Sequence, residues 1–532
     1  IIVGAGSAGS VLANRLTEDP NSSVLVLEAG GSDRNVWIQM PIGYGKAYYD
    51  ERINWKYQSQ PVPGLGGKTS YWPRGKVIGG SSSINAMVYV RGHPQDFDDW
   101  GASAPGWNWH TVEPYFRKME CWSGQADPAR GTAGPLYVQS IEDQVHPLCE
   151  RYLDAAREAQ IGVTADYNAD QMEGAAFYQL TTQGGIRAST ARCYLKPAMK
   201  RGNLKLETGA HVLEIDVEQG AACAVRYKRG GQIHVVRARH EILLAAGAVN
   251  SPQILQLSGI GPGALLQEHG IPVVADRPSV GAHLQDHVGV DLHFKSLVPT
   301  LNQVLRPWLG RLKVGLQYLL TRRGPLSLSI NQAGGFVRTR SELGAPNLQL
   351  YFSPVSYTRA PAGKRPMMSP DPFMGFLLGF NTCRPASRGT IEIGSANPYE
   401  HPKIQPDYFS SEGDMADAIE GIRFLRRLAK APSLDEVIAA TVSPEDTLES
   451  DCELEEFVRG TAWTVFHPSC TCRMGTDAKT SVTDPELRVH GVDRLRVVDA
   501  SAFPNITSGN INAPTIMLAE RAADLIRGKA LV

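Results

Sequence analysis

The sequence predicts an α/β domain with a parallel sheet, interleaved along the chain with an α+β domain built on an antiparallel sheet. Three observations carry this. A strand, glycine turn, helix and strand open the chain; apolar strands ending in small residues recur far downstream; and the middle holds strand patterns without alternating helices. At 532 residues the chain exceeds what one hydrophobic core usually supports, so two domains are expected.

The opening run is the most specific element. IIVG (Ile1 to Gly4) is β-branched, GAGSAG (Gly4 to Gly9) fits G-x-G-x-x-G, SVLANRL has helical spacing, and VLVLE (Val24 to Glu28) is a second apolar strand ending in an acid. A glycine turn between strand and helix lets the backbone approach a pyrophosphate, whose charge then sits on the helix N-terminus. Glu28 follows at close to the ~20-residue spacing expected of an acid that bonds ribose hydroxyls. This βαβ context predicts a Rossmann-like dinucleotide site at Gly4, Gly6, Ser7, Ala8, Gly9, Glu28 and Ala29; FAD and NAD both use the fingerprint. RGKVIGGSSSINAMVYVRG (Arg74 to Gly92) then concentrates small residues ahead of an alternating apolar segment, where Ser82, Ser83 and Asn85 could bond a flat ligand. Taken alone, it reads equally well as a surface loop.

Downstream, EILLAAGAV (Glu241 to Val249) is a buried-strand pattern, and SPQILQLSG starts a helix with Pro252 in its first turn. LRVVDAS (Leu495 to Ser501) is another apolar strand with Asp499 at its C-terminal end, where open α/β sheets bind ligands. PTIMLAERAADLIRG (Pro514 to Gly528) reads as an amphipathic helix stopped by glycine. In the middle, NLQLYFSP (Asn347 to Pro354), PFMGFLLGF (Pro372 to Phe380) and GTIEIGS (Gly389 to Ser395) read as strands, and GDMADAIEGIRFLRRLAKA (Gly413 to Ala431) as a helix. Pro361 to Pro372, with Met367 and Met368 among prolines, reads as a loop, at a substrate entrance or on the ordinary surface.

Composition narrows the partners. With 42% hydrophobic and 20% charged residues and a formal net charge of -1, the chain resembles an ordinary globular protein and offers no footprint for nucleic acid. No uninterrupted apolar run approaches the ~20 residues of a membrane-spanning helix. Eight cysteines are too sparse for a disulfide framework, which favours a cytoplasmic location over a periplasmic or membrane-peripheral one.

TVFHPSCTCRMG (Thr464 to Gly475) places one histidine between an apolar run and Cys470 and Cys472. A metal site would need about four ligands at recognisable spacing, and no partner C-x-x-C exists, so no metal is expected. A C-x-C thiol pair is more often a pair of small hydrophobes.

GAGSAG with LEAG, RGKVIGGSSSIN, GAVNSPQILQLSGIGP (Gly247 to Pro262), VGAHLQDH (Val280 to His287), FHPSCTCRMG and VDASAFPNITSGNINAPTIM (Val498 to Met517) occur in that order. On these stretches the whole chain resembles the glucose-methanol-choline (GMC) family of FAD-dependent oxidoreductases, and its bacterial alcohol, L-sorbose and choline dehydrogenase branch in particular. The resemblance implies an FAD-binding domain over residues 1–155, 195–290 and 465–532, and a substrate domain over 156–194 and 291–464. It implies His467 as the base that takes the alcohol proton while hydride moves to flavin N5, a task suited to imidazole with its ordinary pKa near ~6.5. Asn510 is the implied aligner of the alkoxide, since an amide bonds but cannot act as a base; Asn512 is an implied flavin contact. Further implied cofactor contacts are Arg74, Gly79, Gly80, Ser83, Asn85, Ala86 and Met87, then Val212, Ala246, Gly247 and Phe466, and finally Asp499, Ala500 and Thr515. Members that bind FAD covalently use a histidine where this chain has Ile84, so non-covalent FAD is expected.

The implied reaction is oxidation of a primary or secondary alcohol, electrons passing to a quinone or other acceptor, or to O2 in an oxidase. A flavin-containing hydroxynitrile lyase or fatty-acid photodecarboxylase would share the fold, but His467 and Asn510 argue for alcohol oxidation. A monomer or homodimer is expected.

Overall fold

The computed structural model describes residues 1–359 and 368–529. A five-stranded, wholly parallel sheet orders Leu204–Thr208, Val24–Glu28, Ile2–Val3, Ile242–Leu244 and Leu495–Val497 side by side. The expected opening strand is thus central, with the nearby Val24–Glu28 on one side and the distant Ile242–Leu244 on the other. Helix Ser7–Leu16 follows the glycine turn directly and buries Val11, Leu12 and Leu16. Two glycines make this turn compact. Gly4 adopts φ +98° and any Cβ there would stand 2.5 Å from the Ala245 carbonyl oxygen; a Cβ on Gly9 would stand 1.9 Å from that of Gly4.

The second large sheet has seven strands, antiparallel throughout, and includes Gly174–Phe177, Val288–Ser296, Ala333–Val337, Leu348–Ser353, Gly375–Thr382, Ile438–Ser443 and Trp463–Thr464. Strand Gly375–Thr382 is buried along its whole length. Phe376, Leu378 and Phe380 join one core with Met415, Ile419, Ile422 and Leu425 of helix Glu412–Ala429, and Gly421 lets that helix approach the Phe380 ring closely. The alternate side chains face the other way, because side chains alternate along a strand; Gln349, Tyr351 and Asn381 form a polar layer there.

Some expectations fail locally. The strand expected over Gly389 to Ser395 is Thr390–Glu392, paired with Lys403–Gln405 outside the large sheet. Pro252 lies inside helix Gly247–Leu257, which starts earlier than expected. Proline has no N–H for the Ala248 carbonyl one turn back; Thr471 Oγ1 donates to that oxygen instead, at 2.7 Å. The C-terminal helix, Asn512–Ile526, is buried on every side from Ala513 to Asp524 rather than amphipathic, with Arg15 donating through two nitrogens to its Glu520. Of the expected loop at Pro361 to Pro372, residues up to 367 lie outside the described residues, and Met368–Pro370 is a strand pairing with Tyr357–Arg359. Among the described residues, no helix is long and apolar enough to cross a membrane.

Candidate active site

One continuous cavity runs from the glycine turn to His467. Its lining includes Gly4, Gly6, Ser7, Ala8, Glu28 and Ala29, then Arg74, Gly80, Asn85, Ala86 and Met87, then Val212, Ala246 and Gly247, and finally Phe466, His467, Asp499, Ala500, Asn510, Asn512 and Thr515. Three expected contacts do not line it. Gly9 packs on the Gly4 carbonyl, Gly79 holds a left-handed turn at φ +85°, and Ser83 Oγ donates to the Ile78 carbonyl at 2.8 Å. These residues shape the walls from behind.

At the glycine end, the backbone forms a cradle for an anion. A Cβ on Gly6 would make only ordinary van der Waals contacts, at 3.9 Å from the Ala245 carbonyl oxygen and the Gly80 Cα, whereas Gly80 already approaches Gly6 so closely that a Cβ on Gly80 would lie 2.7 Å from its Cα. Glu28 turns its carboxyl inward: Oε2 accepts from the Ala5 N–H at 2.9 Å and Oε1 from the Gly30 N–H at 2.7 Å. Burial pushes this carboxyl up to about 7 against the pull of those donors. Ala210 N–H donates to the Glu28 carbonyl, and the lining continues through His211 and Val212. Asn512 Oδ1 accepts from Ser7 Oγ at 2.8 Å, tying the last helix to the glycine turn. Asp499 accepts from the Gly247 N–H and from Ser251 Oγ, holding the start of the downstream helix against the cavity. A cavity-lining Gly6, a helix N-terminus with no side-chain cap and a buried acid fit a dinucleotide.

The other end is built around His467. Its backbone N–H donates to Asp286 Oδ1 at 2.7 Å, and Asp286 Oδ2 accepts from the hydroxyls of Tyr408 and Thr464, each at 2.5 Å. Phe466, just before it, takes the left-handed conformation at φ +70°, and Arg74 donates to the Phe466 carbonyl at 2.6 Å. Such over-determined backbone is typical of functional sites.

Two hydrogen-bond chains then fix the imidazole. In the first, His287 Nε2 lies 3.0 Å from the Cys383 carbonyl, and its Nδ1 lies 3.0 Å from His467 Nδ1. A carbonyl only accepts, so His287 carries its proton on Nε2, its Nδ1 accepts, and His467 carries its own proton on Nδ1. The lone pair of His467 is therefore on Nε2. In the second, Tyr178 donates its hydroxyl to the Leu350 carbonyl and so accepts from Gln349 Nε2 at 3.1 Å. The remaining Gln349 N–H donates to Asn510 Oδ1 at 3.1 Å, which turns Asn510 Nδ2 toward His467 Nε2, also at 3.1 Å. Both chains start at a backbone carbonyl and end on the same lone pair.

Electrostatics agree with a neutral imidazole. Burial, then His287, then Arg74 hold His467 well below the ordinary histidine range, and burial pushes His287 down to about 4. Cys470 and Cys472 are free, buried thiols, Cys470 pushed up to about 12 by burial, and their backbone N–H groups donate to Ala500 and Ser501. They pack the base loop against the Asp499 turn. Among the described residues, no group of three or more His, Cys, Asp or Glu could hold a metal ion.

Sequence reasoning assigned no role to His287, Asp286, Gln349 or Arg187. The first two were visible within VGAHLQDH. Arg187, which donates to the Asn85 carbonyl and side-chain oxygens at 2.7 Å each, gave no signal beyond its place in a glycine-rich turn.

Comparison with known proteins agrees with this arrangement. Models of the GMC oxidoreductase family match residues 1–289 and 385–519. An oxygen-dependent choline dehydrogenase of Vibrio vulnificus (strain YJ016) is 42% identical across 99% of this chain and 94% of that protein. The mitochondrial choline dehydrogenase of Mus musculus is 41% identical across 99% and 89%. Among solved structures, pyridoxine 4-oxidase from Mesorbium loti superposes with a TM-score of 0.88 at 30% identity, covering 99% of both chains. A formate oxidase of Aspergillus oryzae RIB40 gives 0.91 at 27% identity, covering 99% of this chain and 97% of that one.

Proposed function

The chain belongs to the GMC oxidoreductase family, and from that premise we propose that His467 and Asn510 carry the oxidation of a primary or secondary alcohol to an aldehyde or ketone. The enzyme is an FAD-dependent alcohol oxidoreductase. FAD, when bound, supplies the acceptor for a hydride leaving the carbinol carbon. The lining residues from Gly6 to Thr515 would hold it, with Glu28 toward a ribose and the glycine turn toward the pyrophosphate. The division into a cofactor domain (1–155, 195–290, 465–532) and a substrate domain (156–194, 291–464) is part of the same proposal.

The observation that carries the reading is the lone pair on His467 Nε2, facing the cavity with Asn510 Nδ2 beside it. A neutral alcohol is a poor hydride donor and its alkoxide a good one. A hydroxyl entering between the two side chains displaces the Asn510 amide from that lone pair, donates its proton to Nε2 and accepts from the freed N–H, so charge developing on oxygen meets a donor beside it. His467 becomes doubly protonated in the step, and the His287 lone pair keeps accepting from Nδ1–H throughout. Choline is the first alcohol to test, because the relatives named above are choline dehydrogenases and Tyr48 and Phe466, edge to face at 5.3 Å on the cavity wall, suit a quaternary ammonium. A quinone or other non-oxygen acceptor is proposed for the electrons, with O2 as the alternative.

Anaerobic titration of the holoenzyme with a panel of alcohols, choline included, tests this by flavin absorbance. Bleaching by one alcohol class is expected, and its speed of recovery in air separates an oxidase from a dehydrogenase. No bleaching with any alcohol would overturn the reading. His467→Ala should keep FAD and slow bleaching by about 10²–10⁴.

A further inference from the structure

Helix Trp308–Thr321 carries most of its apolar side chains on the outside. Trp308, Leu309, Leu312, Leu316, Leu319 and Leu320 are each between 55% and 75% exposed, while Val314 and Tyr318 are the buried residues of the helix. At ~3.6 residues per turn the exposed set falls within an arc of about 120°, directly opposite Val314 and Tyr318. Exposed leucines scattered singly are ordinary; a continuous stripe along a whole helix marks a surface that meets something.

The surrounding charges say what it meets. On the same helical projection Arg311 flanks one edge of the stripe and Lys313 the other. Arg306 and Arg323 stand exposed beyond its two ends, Arg323 paired at the surface with Asp143. Between residues 292 and 341 the sequence contains no Asp or Glu. Two copies of the chain meeting through this face would set the cations against one another. A bilayer with anionic headgroups accommodates both features: acyl chains take the leucines, headgroups take the lysine and arginines, and the Trp308 indole suits the boundary between them.

We infer that helix Trp308–Thr321 lies in the plane of an anionic lipid bilayer and holds the enzyme at its surface. The contact connects to the cavity wall. Val304 and Leu305 of the preceding helix, Asn302–Leu305, pack on a cluster containing Tyr48 and Met87, which Phe466 also joins, and all three of these line the cavity.

Co-sedimentation of the holoenzyme with phosphatidylcholine vesicles, with and without phosphatidylglycerol, tests the inference. The wild type should pellet with the mixed vesicles and stay in solution with phosphatidylcholine alone. Leu312→Ser, Leu316→Ser and Leu320→Ser combined should abolish pelleting, and Arg311→Gln with Lys313→Gln should weaken it at least tenfold, at about fivefold per charge. Both variants should keep wild-type flavin content and thermal midpoint, since the altered side chains are exposed. A wild type that stays in solution with every vesicle, or pelleting that the serine variant leaves unchanged, would overturn the inference. So would a wild-type dimer that the serine variant turns into monomer, which would show that a second copy covers the stripe.

Discussion

His287 Nδ1 lies 3.0 Å from His467 Nδ1, and only one of the two nitrogens can hold the proton between them. Because the Cys383 carbonyl claims the proton on the far side of His287, the shared one belongs to His467. His287 is thus a positioning residue. His287→Ala should retain FAD but slow flavin reduction about 10–100-fold, the usual effect of removing the partner that orients a functional imidazole. His287→Asn, whose side-chain oxygen can still accept near the same point, should recover part of the rate. Equal rates in the alanine variant and the wild type would remove His287 from this role.

The acid limb of kcat/KM should lie below the ordinary histidine value of ~6.5. His467 acts as a base only when neutral, and burial, His287 and Arg74 all favour the neutral form. Activity is therefore kept as pH falls through the ordinary range and lost only below it. Arg74→Gln removes one of these influences and should move the limb upward. A wild-type limb at or above the ordinary value would contradict the electrostatic account.

Gly6 and Gly9 should fail in different ways. A Cβ on Gly6 makes only ordinary contacts and points at the cavity the glycine lines, so Gly6→Val should fold and lose FAD. A Cβ on Gly9 would stand 1.9 Å from the Gly4 carbonyl oxygen, so Gly9→Ala should lower the thermal midpoint of the protein itself. Circular dichroism melts beside flavin content distinguish the two; a Gly6→Val variant fully loaded with FAD would refute the pyrophosphate assignment.

Gln349 should matter only through Asn510. A glutamate at 349 cannot donate to Asn510 Oδ1, so Gln349→Glu should free the amide to rotate and slow reduction about tenfold, a shift of ~1.4 kcal/mol. Combined with Asn510→Ala, it should add little further loss. Additive losses in the double variant would show that Gln349 acts by another route.

FAD should be released whole. Ile84 stands on the cavity wall where covalent members of the family have histidine, and an aliphatic side chain forms no bond to flavin. Acid precipitation should leave a colourless pellet and a yellow supernatant; flavin on the polypeptide would disprove this.

What could be read from the sequence follows the range of each interaction. The glycine turn, helix Ser7–Leu16 and Glu28 were legible because their constraints act over a few residues. His467 and Asn510 were identifiable only by resemblance, since an imidazole and an amide 43 positions apart carry no local signature. The tautomer relay was illegible: it joins His287 to residues 96 and 180 positions away. The same limit explains Pro252, whose orphaned carbonyl partner is met by Thr471, and the C-terminal helix, whose Glu520 and Arg521 look solvent-facing until Arg15 and Tyr194 are placed against Glu520.

The parallel sheet also sets the timetable of synthesis. Ile2–Val3, made before the other four strands, pairs on one side with Val24–Glu28 and on the other with Ile242–Leu244, and the last strand of the sheet, Leu495–Val497, is made long after them. The nascent glycine turn must wait with one edge of its strand unpaired, a long-range closure that is slow and prone to aggregation. Flavin loading is therefore a late event in the life of each molecule. A truncated chain lacking the final strand should come off the ribosome colourless, however intact its glycine motif.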